Sequence, residues 1–131
     1  MVSGSVAKNV ADCVYDPQAT NSIRSYMGLV QKILQSAKFN ADYAYPGPVK
    51  ITPFSLGSCK KTENTFFATD SVINAIRVAA GGAESKATCV GSSKEYAASV
   101  PLSASPGDSW CVDSSGVSKQ IKGIITSTIC K

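Results

Sequence analysis

Five cysteines, Cys13, Cys59, Cys89, Cys111 and Cys130, are the residues of this chain best suited to chemistry. None stands in a Cys-x-x-Cys pair, and there is no histidine. A zinc site would need widely scattered thiolates alone, so disulfides in an oxidising compartment are the expected use. The plain alternative is five reduced core cysteines. An odd count leaves one thiol over. Cys13, in a polar N-terminal arm, is the candidate to stay free or to pair between chains.

Without histidine, a Ser-His-Asp triad or a Cys-His dyad is excluded. Ser118 and Lys119 are neighbours, but on a strand neighbours point to opposite faces. The nine carboxylates are scattered, with no pair at a spacing that suggests acid-base work. Gly81-Gly82 follows a helical pattern rather than opening one, the wrong polarity for phosphate binding at a helix N-terminus. Lys60, Lys61, Lys119, Lys122 and Lys131, with Trp110 and Tyr96 interleaved, could form a basic aromatic strip against DNA. Five lysines spread over some seventy residues make that a thin signal.

The elements that must position these residues fall in a clear order. Residues 1–20 lack periodicity and read as an arm, with a short helix possible over Val6 to Val14. Asn21 is the expected N-cap of an amphipathic helix running to about Asn40. Ile23, Met27, Val30, Ile33 or Leu34, and Ala37 supply its apolar stripe, and Arg24, Gln31, Lys32, Gln35 and Lys38 its solvent face. Tyr43 to Pro48 ends it, because two prolines around a glycine cannot continue a helix. Residues 46–69 read as irregular, with a short strand possible at Val49 to Ile51. Asp70 or Ser71 caps a second helix, which Gly81-Gly82 stops.

The period then changes to two. Strands are expected at Ala87 to Val90 and over Tyr96, Ala98 and Val100. A hairpin follows, in which Trp110 and Val112 share a face, Asp113 to Gly116 turns, and Val117, Lys119 and Ile121 alternate on the return. Ile124, Ile125, Ile129 and Cys130 form an apolar tail for the sheet. The fold class is α+β: a long N-terminal amphipathic helix packed on a small antiparallel sheet of three or four strands, with a second short helix and disulfide-stapled loops. Residues 21–131 form one domain.

At 131 residues one modest core is expected. Hydrophobic residues make up 44% and charged residues only 17%, with Ser, Thr, Ala and Gly filling the gap. That bias suits an extracellular protein better than a cytosolic enzyme. The net charge of +4 is too mild and too dispersed for a dedicated nucleic-acid domain. No run of 18 apolar residues and no signal peptide is present. Disulfide chemistry without an export signal is a contradiction for a complete gene product, so the expectation is a soluble segment whose native N-terminus has been removed.

Several words of the second half occur together in one family. They are Asp70 to Ile73, Ala80-Gly81-Gly82, Ala87-Thr88-Cys89, Tyr96 to Leu102, Trp110 to Gly116, Ser118 to Ile121, and Cys130. In order and spacing they resemble the type IV pilins and related prepilin-like proteins of bacteria. The resemblance covers roughly residues 70–131; the helix at 21–40 matches in position and character only. The family's apolar N-terminal half-helix, with its peptidase site and its acidic assembly residue, is not in this sequence.

The resemblance implies a pilin-like head domain, structural rather than enzymatic. Its partners would be identical subunits in a filament and other pilus or secretion-machine components. The subunit would sit in the inner membrane before assembly and at the cell surface afterwards, touching the membrane only through the missing helix. Alternatives within the family are a type II secretion pseudopilin and a DNA-uptake pilin, for which Lys119, Lys122 and Trp110 are the candidate DNA contacts. No cofactor is expected, with one exception. Related pseudopilins hold calcium in this part of the fold, so Asp108, Asp113 and Ser115 are candidate ligands, against plain turn chemistry for the same residues. Five cysteines exceed the family's common single pair. Cys59–Cys89 and Cys111–Cys130 are favoured because each would tie a loop or tail to the sheet, with Cys89–Cys111 as the rival.

Overall fold

Apolar residues at spacings of four, three and four put Ile23, Met27, Val30 and Leu34 on one stripe of a helix. In a computed structural model of the protein, which describes residues 16, 18–43 and 50–131, all four are fully buried. They lie on α1, Thr20–Tyr43. The chain continues through β1 (Phe54–Ser58), α2 (Asp70–Ala79), a short 3-10 turn (Glu84–Lys86), β2 (Thr88–Gly91), β3 (Tyr96–Pro101), β4 (Asp108–Asp113) and β5 (Ser118–Lys122). The architecture is α+β, with one antiparallel sheet in the order β1-β2-β3-β4-β5.

Both helices differ at their ends from the expectation. α1 starts at Thr20, so Asn21 lies within its first turn rather than capping it, and it runs beyond Asn40 to Tyr43. The expected stop at Tyr43 to Pro48 falls mostly outside the described residues, as do the helix at Val6 to Val14 and Cys13. α2 is capped by Thr69, not Asp70 or Ser71: the Thr69 side chain accepts the Val72 N–H. Asp70 then sits in the first turn and Arg77 in the last, each suited to the helix dipole. Gly81 and Gly82 take positive φ, and their N–H groups return to the carbonyls of Val78 and Arg77. That pattern closes the C-terminus as a Schellman motif. Arg77 also reaches Glu84 of the 3-10 turn at 2.8 Å.

The sheet has five strands, more than the three or four expected. β1 lies in the stretch read as irregular, whereas Lys50 and Ile51, where a strand was expected, are not in one. β1 pairs with β2 through an irregular register between Phe54 and Gly57. A five-residue edge strand containing Gly57 and two serines carries little strand signal.

Two cores sit on opposite faces of this sheet. The larger joins the α1 stripe to Val72, Ile73 and Ile76 of α2 and to Phe54, Phe66, Phe67, Cys89, Tyr96, Ala98, Val100 and Val112. α1 touches both α2 and β4. The smaller joins Ala97, Cys111 and Ile121 to Ile125 and Cys130 of the C-terminal segment, with Val90 and Val117 alongside. β3 is therefore buried on both faces from Tyr96 to Val100.

Candidate functional site

The β4–β5 turn is a heavily fastened polar feature beside a groove. It grows from one residue, Asp113, which is fully buried at the end of β4. Its Oδ1 accepts the Ser115 N–H at 2.9 Å, the Ser115 hydroxyl at 2.5 Å and the Val117 N–H at 3.2 Å. Its Oδ2 accepts the Cys130 N–H at 2.8 Å. Burial works to raise its pKa, but the four donors outweigh it and hold the carboxyl below its ordinary range.

The same turn is held from two further sides. From α1, Gln31 Nε2 donates to the carbonyls of Asp113 and Val117 at 3.2 and 3.0 Å, and Gln35 Nε2 donates to that of Ser114 at 3.2 Å. From β3, the Tyr96 carbonyl accepts the Ser114 N–H, and the Tyr96 N–H donates to the Ser114 hydroxyl. Gln31 and Gln35, assigned above to the solvent face, are thus fasteners; their i, i+4 spacing beside the apolar stripe was the available signal. Among the described residues, the Tyr96 hydroxyl is the buried side-chain polar atom left without a hydrogen-bond partner. Burial pushes its pKa up and the Asp113 charge pushes it further, while Gln35 pulls the other way without forming a hydrogen bond of normal geometry.

An open groove of about 690 Å³ runs beside this turn, lined by Gly28, Gln31, Lys32, Gln35, Phe39 and Gly116 among others. Its polar side chains are amides, a hydroxyl and one ammonium, a set suited to hydrogen bonding.

Of the candidate calcium ligands, Asp113 and Ser115 are hydrogen-bonded to each other, whereas Asp108 lies apart from them. Asp108 opens β4 and Asp113 closes it, a separation of roughly 17 Å along an extended strand. Asp108 Oδ2 is engaged by Gln120 at 2.7 Å, and the Asp113 oxygens face protein donors. Turn chemistry accounts for Asp113 and Ser115. Among the described residues, no three His, Cys, Asp or Glu side chains cluster as metal ligands would.

The DNA candidates are split: Trp110 and Lys122 share one face of the β4–β5 pair, and Lys119 lies on the other. Lys119 pairs with Cys111 and Lys122 with Asp108, so an odd spacing puts the two lysines on opposite faces of β5. Trp110 is partly buried against the larger core and donates its indole N–H to Ser118. Tyr96 is fully buried and cannot stack on a base, and Lys61 pairs with Asp70.

The cysteines do come together in pairs. Cys59 is bonded to Cys89, fastening the end of β1 to β2, and Cys111 to Cys130, fastening the C-terminal segment to β4. The rival Cys89–Cys111 bond is absent. No family model, curated protein or solved structure matches this chain. Among the described residues, no helix is long and apolar enough to cross a membrane.

Proposed function

We propose that this chain is the head domain of a type IV pilin or pilin-like subunit, a structural protein that works by packing rather than catalysis. The single observation that carries this reading is where the family-like words fall. Tyr96 to Pro101 is β3, Trp110 to Asp113 lies on β4, and Ser118 to Ile121 lies on β5, three consecutive antiparallel strands. The α1 stripe shares a core with that sheet, which supports a pilin-like arrangement of a long helix laid on an antiparallel meander. The two bridges suit life outside the cell, where a thin core gains stability from constraints on the unfolded chain.

In this reading identical subunits are the main partners, and the exposed loops contact neighbours or outside targets. The subunit would be held at the inner membrane before assembly and displayed at the cell surface after it. Immunogold electron microscopy of the source cells, with an antibody raised against this domain, tests the proposal. Label along surface filaments is expected. Label confined to the envelope, without filaments, would overturn the filament reading.

A further inference from the structure

We propose that residues 123–131 are a strap over the second face of the sheet, latched by the Cys111–Cys130 bond and released when that bond is reduced. Gly123, at φ +69°, turns the chain back from β5, and its N–H donates to the Gly107 carbonyl. From there the strap forms no strand. It lies on small residues, Ala97, Ser99 and Cys111, which leave room for a backbone to run close to the sheet. Only Ile125 and Cys130 of the strap are buried, while Ile124 and Ile129 are about half exposed.

Three kinds of contact hold it. One is the disulfide. The second is a pair of hydrogen bonds, Ile125 N–H to Ser99 Oγ at 3.4 Å and Cys130 N–H to Asp113 Oδ2 at 2.8 Å. The third is the burial of Ile125 in the smaller core. None of the strap's residues enters the larger core, which α1, α2 and the opposite face of the sheet complete without it. The strap can therefore open while the rest of the fold stays closed.

Release is a two-electron reduction. A dithiol attacks the Cys111–Cys130 bond, supplies two electrons and two protons to yield two cysteine thiols, and leaves as its own cyclic disulfide. Opening uncovers Ala97, Cys111 and Ile121, so the redox state of one bond decides whether this face is covered. Closing a loop across a sequence separation of 19 makes the oxidised latch worth on the order of a hundredfold in opening equilibrium.

Amide hydrogen exchange on the full chain tests this, comparing the oxidised protein with a Cys111→Ala/Cys130→Ala variant and with the oxidised protein after dithiothreitol. In the variant, amides of residues 124–130 should exchange on the order of a hundredfold faster, while those of α1 and β3 keep their protection. Trypsin should also cut after Lys122 faster in the variant. A Cys59→Ala/Cys89→Ala variant should leave strap protection unchanged. Undiminished protection of residues 124–130 without the bond would overturn the proposal. So would strap and core opening together, or a variant with no protected amides, since either makes the segment integral to the fold.

Discussion

The two faces of the sheet are covered by opposite means. On one, two helices bring large apolar side chains, including Ile23, Met27, Leu34 and Ile76, none of them exposed. On the other, a strandless segment covers small residues and is held by one covalent bond and two side-chain-to-backbone hydrogen bonds, one of them to a buried carboxylate. The first face follows from hydrophobic area. The second shows how a short segment with little apolar area can still be fixed, by restricting its freedom and giving its N–H groups strong acceptors.

The comparison can be broken most severely from the helical side. Leu34→Ala removes a fully buried side chain from the stripe, and a loss of about 2–5 kcal/mol is expected in urea unfolding. Strap protection relative to the remaining stability should not change. Asp113→Asn acts on the other face. It removes the charge that four donors address, and about 2–3 kcal/mol should be lost.

Acid should act through the same carboxylate. Its folded pKa lies below its unfolded value, so its contribution is full above the unfolded pKa of about 3.9 and is lost as pH falls through the folded one. The melting temperature of the native protein should therefore drop below about pH 4 more steeply than that of Asp113→Asn. Equal slopes would show that Asp113 is not the group responsible.

Two smaller changes should sharpen the picture by stabilising. Tyr96→Phe removes a buried hydroxyl that has no partner, and a gain of about 1 kcal/mol is expected. A loss would mean that the hydroxyl is satisfied in solution. Gly28 lies mid-helix, with nothing within 4 Å of where a Cβ would stand. Gly28→Ala should add about 0.5–1 kcal/mol to the isolated domain, checked by thermal melting.

The helical face was legible in the sequence because its signal is periodic. The spacing of Ile23, Met27, Val30 and Leu34 admits one face, and Gly81-Gly82 marks a helix end with little ambiguity. The second face was legible only in part: Ile125 and Cys130 read as a tail for the sheet, but Ala97 and Ser99 look like outward positions of a one-sided strand until something is known to cover them. Trp110, Val112 and the turn after Asp113 announced the hairpin. Nothing in the residue types said whether the Asp113 carboxylate turns outward to an ion or inward to the chain; that depends on Cys130, 17 residues away. β1 was missed for want of length and β-branched residues, and its partner β2 lies across an intervening helix. Alternation on β5 could have separated Lys119 from Lys122 beforehand, since an odd spacing on a strand parts them.

The account stands most directly on which cysteines are joined, and tryptic mapping under non-reducing conditions reads that out. Each of the four bridged cysteines falls on its own peptide. The account predicts residues 51–60 linked to 87–94, and 95–119 linked to 123–131. Residues 87–94 linked to 95–119, the Cys89–Cys111 pairing, would leave the C-terminal segment unlatched and contradict the covering of the second face.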